Sequence, residues 1–218
     1  MKRVLITGAS DGLGRELAKL CVGEGIEVIC ISRSKPDYDA VHIKTDLTDE
    51  DSIVACANEI KNKYSDFDAL VNCAGVMSCG ETSMIDYKEL DNLIKVNTIA
   101  PIFLTSQLLG LIKSNEADVI NVGSTAATKG KAGECIYGSS KWAVRGFTKS
   151  LQDELAKTKC RVTGFNPGGM KTGFFDKFLS GKVDTAPFMD PRDIAELMLC
   201  ILKLPKKLEV SEILINKK

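Results

Sequence analysis

Residues 4–14 read VLITGASDGLG, a short apolar and β-branched run that enters a turn containing Gly8, Gly12 and Gly14 and then a helical pattern over 13–23. Strand, glycine turn and helix in that order open a strand–helix–strand unit. The backbone amides of such a turn, with the positive end of the helix behind them, can hold a pyrophosphate. The spacing differs from GxGxxG, and a glycine turn alone is equally a plain connection, so its surroundings must decide.

Outward from this segment, further strand-like runs lie at 26–31, 40–45, 68–72, 117–122, 161–166 and 210–215. Between them, 49–63, 86–113, 137–158 and 190–203 carry apolar residues three and four apart, as in Ile53, Ala57 and Ile60. Short apolar strands alternating with helices predict an α/β fold, a doubly wound Rossmann-type sheet of about seven mainly parallel strands buried on both faces. Pro101 should bend or break the 86–113 helix. The absence of a repeat, a low-complexity tract or a linker predicts one domain over 1–218.

Lys plus Arg and Asp plus Glu both total 29 in the 218 residues, so a basic face for nucleic acid or acidic lipid is not expected. The eight cysteines form no CxxC pair and the single histidine is His42, which predicts no metal site. Cys30 in VICI and Cys200 in LMLCIL sit in apolar runs, where a free thiol acts as a small hydrophobe. Reduced cysteines, a short apolar start and the lack of a segment approaching a membrane span predict a cytoplasmic protein.

YGSSK places Tyr137 and Lys141 four apart on a helical face, one turn from each other. A neighbouring ammonium favours the phenolate, so the Tyr137 pKa should fall from its ordinary value of about 10. Such a pair can pass a proton, although YxxxK alone recurs by chance on helix surfaces. Near the end of the second strand, Ser32 and Arg33 occupy the position that selects between a ribose hydroxyl and a 2′-phosphate. A guanidinium matches phosphate. NADP(H) is therefore expected, with NAD(H) left open by the nearby Asp37 and Asp39.

These residues, taken in order, resemble the short-chain dehydrogenase/reductase family from Val4 to at least Thr172. TGASDGLG matches its glycine motif, Asp46 in TDLTD its acid after the third strand, and NCAG at Asn72–Gly75 its NNAG turn. Asn97, Ser124, Tyr137 and Lys141 match its four catalytic positions, and NPGGMKT matches its PGxxxT segment. Cys73 replaces an Asn, which implies lost amide hydrogen bonding and a modest loss of rigidity there.

The resemblance implies that Gly8, Ser10, Asp11, Gly12, Leu13 and Gly14 cradle the pyrophosphate. Asp46, Leu47, Asn72, Ala74 and Gly75 would border the cofactor, while Pro167, Gly168 and Thr172 would meet its nicotinamide end. Tyr137 would exchange a proton with the carbonyl or alcohol oxygen, and Ser124 would hydrogen-bond that oxygen. Lys141 would bind the ribose, and Asn97 would hold a water linking Lys141 to solvent. Read singly, Ser124 is an ordinary turn residue, Asn97 a polar helix residue and Asp46 a cap for the 49–63 helix.

The expected activity is interconversion of a small-molecule carbonyl and alcohol. A non-catalytic dinucleotide-binding regulator and a reduced nucleotide-sugar epimerase are the alternatives. Substrate loops are expected at 75–85, 125–136 and 167–189, at the carboxyl ends of the strands. Met77, Cys79 and Cys135 could line the pocket. The third loop is apolar, with Met170, Phe174, Phe175, Phe178, Phe188 and Met189. Lys129 and Lys131 are either anion contacts or solvated charges. A stripe of Ala143, Phe147, Leu151 and Leu155 faces the sheet or a partner helix, and the resemblance implies a homodimer or homotetramer.

Overall fold

The structure is a computed structural model that describes residues 1–174 and 187–218. Its strands are β1 (Arg3–Thr7), β2 (Glu27–Ser32), β3 (Val41–Lys44), β4 (Ala69–Asn72), β5 (Asp118–Val122), β6 (Val162–Pro167) and β7 (Glu212–Ile215). They form one sheet in the order β3-β2-β1-β4-β5-β6-β7, and every neighbouring pair is parallel. Each falls on an expected run, and the sheet is the doubly wound type that the alternation predicts.

The helices are α1 (Gly12–Gly23), α2 (Glu50–Lys63), α3 (Tyr87–Ile94), α4 (Ala100–Ser114), α5 (Cys135–Leu155) and α6 (Pro191–Leu202). Successive strand side chains point to opposite faces, and two cores result. On one, Val4, Ile6, Val28 and Cys30 pack against Leu17 of α1 and Met198 of α6. On the other, Leu5, Ile29, Leu70 and Val119 pack against Ile60 of α2, Leu104 and Leu108 of α4 and Leu151 of α5. Each fully buried side chain contributes roughly 1.5–3 kcal/mol, so an unpaired charge at any of these positions would be strongly destabilising.

The expected 86–113 helix is divided. Between α3 and α4, Lys95–Ile99 form a wide π-helical turn, immediately before Pro101 in the first turn of α4. Proline offers no N–H to the carbonyl four residues back, that of Asn97, and its ring crowds that carbonyl. The wide turn accommodates both. Taken together, Tyr87–Ser114 are long and apolar enough to cross a bilayer, contrary to the expectation from the sequence. Leu104, Leu108 and Ile112 are fully buried against the sheet, so this apolarity belongs to the core.

The stripe on α5 also faces inward. Leu151 and Leu155 are buried and Phe147 packs against the same core, whereas Ala143 is exposed. The exposed large apolar side chains on this side are Ile99 and Trp142, each about half exposed at 49% and 48%.

Candidate active site

Strand order reverses between β1 and β4, and the loops leaving their carboxyl ends diverge to leave a crevice. A cavity of about 680 Å³ occupies it. Gly8 closes its floor with a φ of +71°, and a Cβ there would sit 2.8 Å from the Ala74 Cα. A Cβ on Gly14 would sit 2.7 Å from the Gly8 carbonyl oxygen. These two contacts bring the first helix and the NCAG turn together, and no larger residue fits either position. Asp11 begins α1 by accepting a hydrogen bond from Gly12 N at 2.8 Å.

The NCAG turn is held from β1. Thr7 Oγ1 accepts hydrogen bonds from Cys73 N at 3.0 Å and Ala74 N at 3.1 Å. Main-chain groups supply both contacts, so the turn is secured without an amide side chain at 73. Cys73 packs toward the core beneath the cavity, and burial pushes its thiol up to about 12.

Asn72 does not line the cavity, contrary to expectation. Strand alternation sends its side chain to the other face, where Nδ2 donates to Thr105 Oγ1 at 3.1 Å and Asn121 Oδ1 at 2.9 Å. Asn121 in turn donates to Thr148 Oγ1 at 3.0 Å. This buried chain ties β4 and β5 to α4 and α5. Its sequence signal was an asparagine inside the apolar VINV strand.

At the other end of the crevice, Arg33 is exposed beside the cavity and its charge helps to lower the Asp46 pKa. The larger cause is Thr48, whose N–H and hydroxyl both donate to Asp46 Oδ1, at 2.9 and 2.8 Å. Asp46 thus folds the turn ahead of α2, and Asp49 occupies the N-cap position itself. Ser32 is buried and donates to the Ser34 carbonyl at 2.7 Å. Asp37 pairs with Arg15, its Oδ1 accepting from Arg15 Nε at 2.9 Å, which holds the carboxyl at about 2. Its charge is therefore engaged away from Arg33.

The chemical groups converge at the end of β5. Ser124 caps the short 3₁₀ turn Thr125–Ala127, its Oγ accepting from Ala126 N at 3.1 Å. Its hydroxyl faces the Tyr137 phenol closely enough to favour the phenolate. Lys141 Nζ donates to the Val122 carbonyl at 3.0 Å and lies 5.7 Å from the centre of the Tyr137 ring. Burial pushes the Tyr137 phenol up to about 12, partly offset by Ser124 and reinforced by the charge of Glu134. The expected depression by Lys141 is absent, and burial lowers Lys141 itself to about 8.

Asn97 stands behind this group, buried and outside the cavity lining. Its Oδ1 accepts from Val76 N at 2.8 Å, while Nδ2 donates to the Val76 carbonyl at 2.8 Å and Ser140 Oγ at 3.1 Å. Both amide hydrogens are thereby used. Oδ1 keeps a lone pair toward the space over Gly75, where a Cβ would lie 3.6 Å from it and 3.7 Å from Lys141 Nζ.

Ser10, Gly12, Leu13, Leu47 and Gly75 border the cavity as expected, and so do Pro167, Gly168 and Thr172. Thr172 stands over Gly12, about 3.7 Å from a Cβ built there. Met77, Cys79, Lys129, Lys131, Glu134 and Phe174 form the far wall. Cys135 is exposed and accepts or donates a hydrogen bond with Thr82 at 3.1 Å without lining the cavity. In the third loop, Met170 and Met189 run side by side and Phe188 lies over Gly169. Phe175 and Phe178 lie outside the described residues.

The fold has known counterparts. Carbonyl reductase family member 4 of Xenopus laevis is 29% identical over 213 residues, covering 92% of this chain and 90% of that protein. A serine dehydrogenase complexed with NADP+ superposes with a TM-score of 0.89 at 23% identity, covering 98% of this chain and 94% of that one. A 3-ketoacyl-(acyl-carrier-protein) reductase of Brucella melitensis complexed with NADH superposes with a TM-score of 0.83 at 26% identity, covering 98% and 96%. The short chain dehydrogenase family model matches residues 2–182, and the chain accordingly belongs to the short-chain dehydrogenases, a family of oxidoreductases.

Proposed function

We propose that the protein interconverts a carbonyl and an alcohol with NAD(P), on a single domain, with Tyr137 as the acid and base. The observation that carries this reading is the convergence of Ser124, Tyr137 and the buried Lys141 on one wall of a crevice whose floor glycines admit no side chain. That crevice fits a dinucleotide. The close approach of Gly8, Gly12 and Gly14 leaves room for a pyrophosphate at the positive end of α1. Asp46, Leu47, Ala74 and Gly75 border the adenosine half and its continuation, and Pro167, Gly168 and Thr172 border the nicotinamide half.

The cofactor supplies or accepts the hydride. In reduction, Tyr137 gives its proton to the carbonyl oxygen, and Ser124 donates a hydrogen bond to that oxygen as charge develops. A phenol pushed up to about 12 is protonated at neutral pH, the form that reduction consumes. Lys141 presents its remaining hydrogens to the ribose hydroxyls. Asn97 fixes the Val76 peptide and turns Oδ1 toward the space over Gly75, where a water can pass protons to Lys141.

NADP(H) is favoured over NAD(H), because Arg33 offers a guanidinium to a 2′-phosphate and the competing acid Asp37 is paired with Arg15. The two solved structures named above hold NADP+ and NADH, so their fold accommodates both. The chain also assembles as a dimer or tetramer, with Ile99 and Trp142 offering exposed apolar surface beside α4 and α5.

Parallel titration of the wild type and Tyr137→Phe with NADPH and NADH, followed by turnover on a carbonyl substrate, tests the scheme. Loss of the phenol should lower kcat by about 10²–10⁴-fold with cofactor affinity nearly intact. Turnover retained by Tyr137→Phe would remove Tyr137 as the acid, stronger binding of NADH would overturn the role of Arg33, and binding of neither would leave a non-catalytic protein.

A further inference from the structure

Among the described residues, the charges lining the cavity separate into two groups. Asp11, Arg33 and Asp46 follow β1, β2 and β3, at the dinucleotide end. Lys129, Lys131 and Glu134 lie on the segment that joins Ser124 to Tyr137, the two residues flanking the reacting oxygen. In the sheet, β2 and β5 are three strand spacings apart, about 14 Å. The second group therefore faces something other than the anion met by Arg33.

Within that second group, one cation is already engaged. Lys131 Nζ donates to Glu134 Oε1 at 2.5 Å, with the Glu134 side chain only 9% exposed and that of Lys131 67% exposed. Glu134 N also donates to the Lys131 carbonyl at 3.1 Å, which closes the turn on itself. This pair is neutral overall. Lys129 is exposed and carries no ion pair or hydrogen bond among the described residues. With Lys141 below it, the substrate half of the cavity has three lysines against one carboxylate.

The segment that carries Lys129 is anchored at both ends. Arg145 Nη1 donates to the Ala127 carbonyl at 3.1 Å, and Gly80 N donates to the Gly133 carbonyl at 2.8 Å. A cation on so fixed a support loses less freedom on meeting a ligand than one on a loose loop. Around it the wall is apolar, with Met77, Phe174 and Phe188. One unpaired cation beside an apolar wall is a receptor for a small molecule with one anionic end.

We propose that the substrate carries a carboxylate bound by Lys129, so that the protein converts oxo acids and their hydroxy acids. This rests on the carbonyl–alcohol chemistry proposed above. The reaction balances as an ordinary reduction, in which the carbonyl carbon gains the hydride of NADPH and its oxygen gains the Tyr137 proton. The carboxylate is unchanged and serves only to orient the carbonyl.

The test compares acetoacetate and 2-oxobutyrate with their methyl esters, using the wild type and Lys129→Met with NADPH. The acids should be the better wild-type substrates in kcat/KM. Lys129→Met should lose about tenfold on the acids, the worth of one charge-assisted hydrogen bond, with little change on the esters or in NADPH affinity. The acid preference should also weaken as salt is raised. Esters reduced as well as acids, or acids indifferent to Lys129→Met, would overturn the proposal and leave the carbonyl chemistry standing. A preference for aminoacetone that Glu134→Gln removes would also overturn it, by showing that the wall reads a cation. NADPH binding with reduction of no carbonyl compound would overturn the proposed function, and this inference with it.

Discussion

Tyr137 and Lys141 share one face of α5, yet the field between them is not the one that their spacing suggests. Burial dominates both, taking the phenol up to about 12 and the ammonium down from 10.5 to about 8. For Lys141 the folded pKa lies below the unfolded one. Below pH 8 both states are charged, and the folded state carries a desolvation cost of about 3 kcal/mol. Between pH 8 and 10.5 the folded protein sheds its proton first, so stability rises with pH. Tyr137 acts in the opposite sense, and above pH 10 its contribution is lost. Comparing urea unfolding of the apoprotein with that of Lys141→Met should therefore show wild type gaining about 2 kcal/mol on the variant from pH 7.5 to 10. A constant difference would mean that Lys141 is solvated.

The π-helical turn between α3 and α4 is where a local sequence feature becomes a positioning device. Pro101 prevents a regular helix from passing Asn97, and the widened turn lets the Asn97 side chain grip the Val76 peptide from both sides. That grip joins the rod to the loop after β4, and the third bond to Ser140 joins it to α5. Asn97→Ala removes all three bonds from a buried place, at an expected cost of about 2–3 kcal/mol, visible as a lower urea midpoint with an unchanged slope. Asn97→Asp, which keeps the acceptor and loses the donors, should fall between the two. A midpoint unmoved by Asn97→Ala would show that Pro101 alone shapes the turn.

At the level of the whole molecule, the sheet has two edges, β3 and β7, and two covered faces, so association is expected to use helices or a sheet edge. Ile99, Trp142 and Leu214 are each about half exposed at 49%, 48% and 49%. Sedimentation at micromolar concentration should report a multiple of the 23.6 kDa chain mass. A single boundary at 23.6 kDa would remove the proposed assembly, and with it the functional meaning of this exposed surface.

The sequence by itself determined the sheet, its parallel sense and the crevice. These follow from apolar runs, from glycines in the first turn and from a motif order that leaves little freedom: the runs at 4–7, 68–72 and 117–122 became β1, β4 and β5 within a residue. Tyr137, Ser124 and Lys141 were legible for the same reason, since fixed spacings on fixed elements place them. What only the tertiary structure decided was what each polar group faces. Asn72 lies one position before Cys73, yet strand alternation turned it away from the cavity and into a buried chain with Asn121 and Thr148. The ionisation of Tyr137 and Lys141 depended on burial, which is a property of everything packed around them and is not written in their spacing. Lys129 and Lys131 look alike in the sequence, and the fold alone paired one with Glu134 and left the other open to the cavity.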